Sequence, residues 1–560
     1  MRNTCLSLLV VAFCLTCVVS MSAATNELTN GQVSKATMAY IPSLLDALKN
    51  QPQDLPFGYH QAPPVQYPKP QQRLANQKLG AFKDAAARPA APDTVPTKVL
   101  DWLGVGTGFF GYTVPDAPTD GQINIGDSPC QVVQWVNIQF AAFDCAGNNL
   151  TGGALGLNHF NNGNILYAGL PHCAAHNRGD IIAQFDKVAH RWVMYQNTFA
   201  VPYYDCFAVS QTGDFLGAWF TYEFPTFDNN NDFPDYPKVG VWPDGYYVSH
   251  NSFFQLQSYN GAMPCAYDRV KMLAGNPNDP PKGICFLDNS NGTLFDDSML
   301  PSDVDSPSNL PPGGTPNIFM GSIDNFSQDS NVYYYHFHFV PNNPAASTFD
   351  CVNGACKIAV NAYQNAAGAA PEPGGNVIDT LADRLMYRLA YRILPGQPVS
   401  NNLQQSATSQ DWLVSHAVNS SGHAAVRWYE FRAPTGVTTP TVFQQGTYDP
   451  DNNHRFMSSL ARDKKGNIAM SYTLTSSTVF PTIAYTGRAV ADPAGTMGAE
   501  QIGFAGTGSQ TDTSNRWGDY YQMAISNDGC TFVTTGEYYT TNSSFNWSTR
   551  DIVLKFANCQ

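Results

Sequence analysis

The sequence predicts an all-β fold, and three features of its residues support this prediction. The chain has 560 residues, of which 43% are hydrophobic and 12% aromatic, so it can bury a large core. Only 13% of the residues are charged, whereas 45 Gly and 39 Pro are typical of a β protein rich in turns. From about residue 121 onward, short apolar runs alternate with turn residues and helical periodicity is almost absent.

One hairpin pattern recurs along the chain. Residues 238–253, KVGVWPDGYYVSHNSF, consist of an apolar run, a Pro-Asp-Gly turn and a second run rich in Tyr and Val. Seven segments share this order of strand, turn and strand, and their turns contain Gly or Asn, which accept positive φ. The turn residues are Gly147, Gly213, Gly245, Asn331, Gly422, Gly466 and Gly529.

The repeated hairpins predict the architecture. Additional strands follow most copies, and units of three or four strands with loops of unequal length are typical of a β-propeller. Seven blades is the preferred count, with six or eight as alternatives, and residues 238–253 are interpreted as the inner hairpin of one blade. Two β-sandwich domains are the alternative fold, which is less favoured because sandwiches have no reason to repeat one turn pattern.

The chain divides into three predicted regions. Residues 1–24 contain one Arg, an apolar stretch and small residues before Ala24, which predicts a signal peptide. Residues 25–100 include a Pro- and Gln-rich stretch and a short helix predicted after Pro42, and they are interpreted as an N-terminal arm or leader. Residues 101–560 form the predicted propeller domain.

Cysteine content and charge restrict the compartment and the partners. Ten cysteines remain after the signal peptide, as expected of a protein secreted to an extracellular or periplasmic compartment where disulfides persist. Neighbours in sequence suggest three disulfides: Cys265 with Cys285, Cys351 with Cys356, and Cys530 with Cys559. The formal charge of −14, without a basic run, argues against nucleic acid or an anionic membrane as partner. No later stretch is apolar enough to predict a membrane span.

Several long segments resemble a known group of proteins. FPDYPKVGVWPDGYYVSHNSF, CAYDRVKMLAG, LADRLMYRLAYR, TGSQTDTSNRWGDYYQMAI and NSSFNWSTR occur in this order between residues 233 and 550. Together they look like a family of secreted bacterial proteins of unassigned activity that are predicted to be β-propellers. The resemblance runs from about residue 115 to the C-terminus. It implies a propeller made for the cell exterior, and it brings no catalytic residues with it.

Polar residues precede several of the predicted inner strands. Because inner strands line the central channel of a propeller, the side chains just before them are expected to converge on one face. The predicted ligand-binding residues are Tyr236, Lys238, Arg384, Arg455 and Arg516. The candidate catalytic residues are Asp235, Asp383, Asp519, Tyr520 and Glu537.

The three arginines of this set permit two interpretations. Guanidinium groups match carboxylates, so Arg384, Arg455 and Arg516 pointing inward would hold an acidic sugar, as the arginine trio of sialidases does. Ion pairs of Arg384 with Asp383 and of Arg516 with Asp519 would explain two of them equally well. The resemblance to sialidases is distant, because their repeated motif S-x-D-x-G-x-T-W has only one incomplete match, at residues 526–532.

Two acidic loops suggest calcium. DNNND and DPDNN alternate side-chain oxygens, the ligands that Ca²⁺ prefers, but both lack the Gly and the distal Glu of a helix-loop-helix calcium site. A solvated turn is the alternative for each loop, and no cofactor is otherwise indicated. The predicted ligands are Asp228, Asn230, Asp232, Asp449 and Asp451.

Three functional hypotheses follow from the sequence. The first is a secreted propeller that binds an extracellular glycan or a surface protein on its channel face without turnover. The second is a glycoside hydrolase or sialidase-like enzyme that uses carboxylates and arginines of the same face. The third is a structural component of the cell surface. Binding is preferred because the sequence does not yield a complete catalytic set, and fold alone does not decide function.

Overall fold

A computed structural model describes most of the chain. Its described residues are 26–28, 30–50, 82, 84, 86–88, 94–110, 112, 114, 118–137, 139–151, 163–177, 179–288, 297–322, 328–351, 356–366, 368–374, 377–396 and 408–560. The predicted signal peptide lies outside them. No described helix has the length and apolar character needed to span a membrane.

The N-terminal region contributes short strands and one helix. The strands are β1 (Asn26–Leu28), β2 (Gln32–Lys35), β3 (Thr37–Ile41), β4 (Ala87–Arg88) and β5 (Thr97–Leu103). Helix α1 (Leu44–Lys49) begins where the sequence predicts a helix, and the side chain of Ser43 caps it by accepting a hydrogen bond from the Asp46 N–H. The remaining described helices are α2 (Gly163–Leu166), α3 (Cys173–His176), α4 (Arg269–Ala274) and a 3₁₀ turn (Pro344–Ala346).

Antiparallel sheets I to III follow in chain order. Sheet I contains β6 (Gln122–Ile125), β7 (Gln131–Val136) and β8 (Gln139–Asp144). Sheet II contains β9 (Ile181–Asp186), β10 (Arg191–Asn197), β11 (Tyr204–Ser210) and β12 (Trp219–Pro225). Sheet III contains β13 (Asp232–Val241), β14 (Gly245–Phe254), β15 (Ser258–Asp268) and β16 (Lys282–Cys285).

Four further sheets complete the order. Sheet IV contains β17 (Leu300–Val304), β18 (Asn317–Gly321), β19 (Asp329–His338), β20 (Thr348–Cys351) and β21 (Lys357–Tyr363), and a two-stranded ribbon, β22 (Ala370–Pro371) and β23 (Val377–Ile378), follows it. Sheet V contains β24 (Met386–Pro395), β25 (Thr408–Ser420), β26 (His423–Pro434) and β27 (Thr441–Tyr448). Sheet VI contains β28 (His454–Arg462), β29 (Ile468–Ser476), β30 (Val479–Arg488) and β31 (Gln501–Phe504). Sheet VII contains β32 (Met523–Ile525), β33 (Thr531–Tyr539) and β34 (Trp547–Lys555).

The first strands of the seven sheets contact one another in a closed cycle. The order of contact is β6, β9, β13, β17, β24, β28 and β32, and β32 returns to β6. Sheets IV and V are joined further by parallel pairing of β17 with β24, in which Ser302 faces Leu389. The fold is therefore all-β, as the sequence predicts, and its sheets surround one central axis.

The N-terminal strands cover outer edges of these sheets. β1, β2 and β3 pair with β20, β16 and β12, so the arm runs along sheets IV, III and II in reverse chain order. β4 adds to sheet V beside β27, and β5 pairs with β34 of sheet VII. Because β5 and β34 come from opposite ends of the chain, their pairing completes a sheet from both. Such pairing also shields strand edges that would otherwise template aggregation.

Large aromatic residues and disulfides stabilise the assembly. Eight of the nine tryptophans are less than 2% exposed, and only Trp102, at 9%, is more accessible. The structure forms the three suggested disulfides, Cys265–Cys285, Cys351–Cys356 and Cys530–Cys559. It also pairs Cys130 with Cys145 and Cys173 with Cys206, which the spacing does not reveal.

The seven sequence hairpins fall one in each sheet, but not at equivalent positions. Residues 238–253 form the hairpin of β13 and β14, the first two strands of sheet III, whereas the copies around Gly213 and Gly422 join later strands of their sheets. Gly147, Gly422, Gly466 and Gly529 adopt positive φ in their turns, as predicted, whereas Gly213 and Gly245 do not. The prediction for Asn331 is wrong, because this residue lies inside β19.

Polar side chains fill the middle of the ring. The Gln184 amide donates a 3.1 Å hydrogen bond to Asp303 and accepts one of 2.7 Å from Asn124, and it also contacts the Tyr387 hydroxyl. The Arg388 guanidinium donates to Asp303 at 2.8 Å and to the Met523 carbonyl at 3.0 Å. These contacts join the first strands of sheets I, II, IV, V and VII, so the centre of the ring is a packed polar core.

The buried imidazole of His416 in sheet V provides a test of acid stability. Burial, and secondarily the charge of Arg427, lowers the pKa of His416 to about 3. Since the unfolded pKa is about 6.5, the unfolded state binds the extra proton, and the stability present above pH 6.5 is lost as the pH falls towards 3. As the pH falls from 6.5 to 5, His416 should lower the free energy of unfolding by about 2 kcal/mol.

Urea unfolding of wild type and His416→Gln at pH 7 and pH 5 measures this cost. Gln retains a polar group near the Tyr429 hydroxyl, which lies 3.0 Å from the imidazole Nε2. The wild type should lose about 2 kcal/mol more than the variant between the two pH values. Equal losses in both proteins would contradict the assignment.

Candidate functional site

Segments that precede or begin the first strands converge at one end of the ring. They come from sheets I, II, III, V and VII, and their polar side chains are linked by the hydrogen bonds, ring contacts and electrostatic interactions described below. We call this group the axial cluster. Its members are Asp120, Asp180, Asp235, Tyr236, Lys238, Asp383, Arg384, Arg516, Asp519 and Tyr520.

A β-bulge places Tyr236 and Lys238 in the cluster. The register between β13 and β14 shifts between Asp235 and Lys238, so the bulged residues leave the regular pairing. Tyr236 adopts a φ of +54°, in the left-handed region that a residue with a Cβ occupies at a cost of about 1–3 kcal/mol. The Tyr236 hydroxyl donates to the Asp519 carbonyl at 3.1 Å, which ties sheet III to sheet VII.

Lys238 lies in an aromatic environment within the cluster. Its side chain is fully buried, and its Nζ is 3.3 Å from the ring centroid of Tyr236 and 3.8 Å from that of Tyr520. The ammonium donates a 2.8 Å hydrogen bond to the Pro237 carbonyl. Burial lowers the pKa of Lys238 to about 7, although the nearby Asp180 opposes the shift.

Asp120 and Asp180 are the acidic groups that precede β6 and β9. Asp120 accepts hydrogen bonds from the Asp519 N–H at 2.6 Å and from the Asn137 amide at 2.7 Å. Burial and the charge of Asp519 raise the pKa of Asp120 to about 7. Burial and the charge of Asp235 raise the pKa of Asp180 well above its usual value.

Two arginines of the cluster are paired with neighbouring carboxylates. Arg384 donates to both oxygens of Asp383, at 2.8 and 2.9 Å, and its guanidinium carbon lies 4.6 Å from the ring centroid of Tyr236. Arg516 forms an ion pair of 2.5 Å with Asp519. Arg384 and Arg516 therefore form the local ion pairs that were the alternative interpretation of the sequence. The positive charge of each arginine is balanced by a neighbouring carboxylate of the protein.

The axial cluster contains eight of the ten predicted ligand-binding and candidate catalytic residues. They are Asp235, Tyr236, Lys238, Asp383, Arg384, Arg516, Asp519 and Tyr520. Sequence reasoning missed Asp120 and Asp180, although both lie within two residues of the start of a first strand, in TDGQINI and NRGDIIAQF. The rule that selected the other residues would have found these two if the first strands of sheets I and II had been recognised.

Arg455 does not join the cluster, so the predicted arginine trio is not formed. Its guanidinium donates to both oxygens of Glu500, at 2.7 and 3.1 Å, and to Asp451 at 2.9 Å. These partners belong to sheet VI and the loop before it. The fully buried Arg455 side chain is therefore oriented by its own sheet, although the residue lies in a first strand.

Glu537 lies next to the cluster rather than within it. It is fully buried in β33 and accepts hydrogen bonds from the Thr119 hydroxyl at 2.8 Å and the Tyr521 hydroxyl at 3.0 Å. Burial raises the pKa of Glu537 well above its usual value. Its position beside Thr119 and Tyr521 suits support of the Asp120 segment better than contact with a ligand.

The carboxylates of the two acidic loops contact protein groups. Asp228 accepts hydrogen bonds from the Asn231 amide at 3.2 and 3.1 Å, whereas Asp232 accepts from Ser252 at 3.0 Å and Asn260 at 2.7 Å. In the second loop, Asp449 contacts Ser420 and His423, and Asp451 pairs with Arg455. Calcium binding by Asp228, Asn230, Asp232, Asp449 and Asp451 stays a prediction.

One cluster of metal-ligating residue types occurs in the described part of the chain. Asp205, His250 and Cys265 bring ligand atoms within 4.8 Å of one another. Cys265 is bonded to Cys285, so its sulfur is not available as a thiolate. Tyr195 and Tyr267 donate hydrogen bonds to Asp205, and His250 contacts both Asp205 and Tyr195. We interpret this group as a polar network within the core.

Comparisons with known proteins give only distant structural similarity. No protein-family model matches the chain, and no curated protein matches it. The chain is similar to an exo-β-1,3-galactanase from Clostridium thermocellum, with 11% identity, 70% of this chain and 82% of that chain covered, and a TM-score of 0.27. It is also similar to the WD40 domain of SCAP from fission yeast, with 8% identity, 82% and 98% covered, and a TM-score of 0.31. The class of protein is therefore defined by the structure of the chain itself. It is an all-β protein whose first strands carry the axial cluster at one end of their ring.

Proposed function

We propose that the protein is a secreted seven-bladed β-propeller. The closed cycle of contacts among seven first strands supports this architecture, because two face-packed sheets would not return the last strand to the first. The pairing of β5 with β34 completes sheet VII with strands from both ends of the predicted propeller domain, which also supports a closed ring. Five disulfides support a location in an oxidising extracellular or periplasmic compartment.

The propeller binds an extracellular glycan at the axial cluster. The observation that carries this proposal is the convergence of charged and aromatic side chains from five sheets at one end of the ring. Four charged residues of this group are partly exposed, whereas Lys238 is buried: Asp180, Asp235, Arg516 and Asp519. Carboxylates accept hydrogen bonds from sugar hydroxyls, guanidinium groups donate to them, and tyrosines offer apolar faces. A surface protein as ligand and a structural role at the cell surface are the competing functions.

A glycan array with the purified mature protein tests this proposal, with and without EDTA to reveal calcium dependence. The double variant Asp180→Asn, Asp519→Asn should weaken binding by about 10²- to 10⁴-fold, because it removes two charged hydrogen bonds of about 1.5–3 kcal/mol each. The control is Asp279→Asn, which removes a carboxylate that is 61% exposed and far along the chain from the cluster. Absence of glycan binding by the wild type, or equal binding by all three proteins, would refute the proposal.

Hydrolysis of the bound glycan is the second candidate function. Burial and the charge of Asp235 raise the pKa of Asp180, which is the property of a proton donor, and Asp519 of the same cluster is paired with Arg516. Glycoside cleavage uses two carboxyl groups, one as the general acid and the other as the base or nucleophile. If the protein is a hydrolase, Asp180→Asn should lower turnover by about 10²- to 10⁴-fold while binding persists. Release of reducing ends from the glycans found on the array distinguishes this function from binding alone.

A further inference from the structure

Three side chains of metal-ligating type share one face of sheet IV. His336 and His338 are alternate residues of β19, so their side chains point to the same face. Asp350 of β20 lies directly opposite His336 in the antiparallel register. The Nδ1 of His336 is 3.5 Å from one carboxylate oxygen of Asp350, and the Nε2 of His338 is 3.4 Å from the other. The structure thus brings together two imidazoles and a carboxylate, which are common ligands of divalent transition metals.

A backbone contact fixes the tautomer of His336. The Nε2 of this residue lies 2.7 Å from the Thr438 carbonyl oxygen, which can only accept a hydrogen bond, so Nε2 carries a proton. In the neutral imidazole the lone pair is then on Nδ1, and it faces the Asp350 carboxylate. Metal-ligating histidines are commonly oriented in this way, by donation from their second ring nitrogen to a backbone carbonyl.

The facing atoms of His336 and Asp350 are both acceptors. The His336 side chain is fully buried, and within the described residues neither its Nδ1 nor the Oδ1 of Asp350 has a hydrogen-bond partner. Two buried acceptors that face each other are unfavourable unless a cation lies between them. That cation is either a proton on Nδ1 or a metal ion.

The spacing of these atoms favours the metal ion. Ligand atoms about 2.0–2.2 Å from a tetrahedral zinc ion are about 3.4 Å apart, whereas an N–H···O hydrogen bond is usually about 2.7–3.2 Å long. Both contacts of Asp350, at 3.5 and 3.4 Å, match the first distance. The three ligand atoms do not all lie within 4.8 Å of one another, so His338 has to turn to complete the site. Its side chain is 43% exposed, which leaves room for this turn and for a water molecule as fourth ligand.

We propose that His336, His338 and Asp350 form a zinc site with an open fourth position. Imidazole nitrogen suits Zn²⁺, whereas Ca²⁺ and Mg²⁺ take oxygen ligands. The site belongs to the third and fourth strands of sheet IV, and it shares no residue with the axial cluster or with the two acidic loops. The inference therefore goes beyond the proposed glycan-binding function and does not depend on it.

Calorimetric titration with Zn²⁺ tests the proposal on the purified mature protein, after treatment with EDTA and dialysis to remove the chelator. At about pH 7.5, where the ligands can release their protons, the wild type should bind one Zn²⁺ strongly, and equal concentrations of Ca²⁺ or Mg²⁺ should not compete. His338→Gln and Asp350→Asn should each weaken Zn²⁺ binding by about 100-fold or more, because loss of a direct ligand exceeds the cost of about 10- to 100-fold for an outer partner. His338 is partly exposed, so His338→Gln is expected to fold, and circular dichroism checks this for both variants.

His190→Gln is the matched control. The Nδ1 of His190 lies 2.7 Å from Asp127, a normal hydrogen-bond length, and the side chain is 53% exposed. This variant should bind Zn²⁺ as the wild type does. Absence of Zn²⁺ binding by the wild type would overturn the proposal in favour of a protonated His336 paired with Asp350. Equal affinity in His338→Gln and wild type, equal weakening in His190→Gln, or displacement of Zn²⁺ by an equal concentration of Ca²⁺ would also overturn it.

Discussion

Replacement of Arg388 by methionine should lower the free energy of unfolding by about 3–5 kcal/mol. The Arg388 side chain is fully buried at the centre of the ring, where it forms ion pairs with Asp303 at 2.8 Å and with Asp305. Asp305 keeps a second partner in Lys187 at 3.2 Å, but Asp303 would be left with neutral donors. Removal of one partner from a buried ion pair leaves an uncompensated charge, which accounts for the large cost.

Guanidinium chloride unfolding followed by tryptophan fluorescence measures this loss. Lys98→Met is the matched control, since it removes a cation from an ion pair with Asp101 whose lysine is 33% exposed. Exposed pairs contribute at most about 1 kcal/mol, so the control should change stability little. If Arg388→Met lowers the free energy of unfolding by less than about 1 kcal/mol, the negative charges of the central carboxylates are balanced by groups other than Arg388.

Replacement of Asp84 by alanine should have an effect of similar size, about 3–5 kcal/mol. Asp84 belongs to the N-terminal region, yet its buried carboxylate accepts hydrogen bonds from the Arg427 guanidinium, from Thr447 at 2.7 Å and from the Ala86 N–H at 2.8 Å. Arg427 is fully buried in sheet V. The variant would therefore bury an unpaired guanidinium and release the attachment of β4.

Hydrogen exchange distinguishes the two parts of this prediction. Amides of β4 and the facing part of β27 should exchange faster in Asp84→Ala than in wild type, in addition to the global loss of stability. Asp46→Ala alters an exposed carboxylate of helix α1 in the same arm and serves as control. Unchanged stability and exchange in Asp84→Ala would show that the arm is held mainly by its strands.

The all-β fold was predictable because its signals are local. Each of the seven hairpins depends on a turn residue and two flanking apolar runs, and every one of these segments lies in a different sheet. The position of a hairpin within its sheet was not predictable, because first and later strands are equally buried: β13 and β25 both consist mostly of buried residues. Burial on both faces removes the alternation that would identify an outer strand.

The site was predictable where an unusual polar run precedes a first strand. FPDYPK and NRWGDYY satisfied this condition, and their residues meet in the axial cluster. Arg455 satisfied it too, but its orientation depends on Glu500, 45 residues later in the chain, and no local pattern reveals that contact. Asp120 and Asp180 were missed because the strands that follow them, β6 and β9, were not recognised as first strands of their sheets.

The N-terminal strands show a further limit of local signals. β1, β2 and β3 are three to five residues long and pair with sheets whose own strands lie about 180 to 325 residues later. Their short runs resemble those of a linker, so the sequence favoured a leader as much as a packed arm. Only the exposed edges of sheets II, III and IV give these residues a partner.

The packed core formed by Gln184, Tyr387 and Arg388 has a consequence for any molecule that reaches the axial cluster. In the part of the chain that the structure describes, these buried side chains occupy the centre of the ring, so a polymer bound at the axial cluster would enter and leave by the same opening. Chain termini, short oligomers and side branches fit such a dead end, whereas the interior of a long unbranched strand would have to lie across the opening.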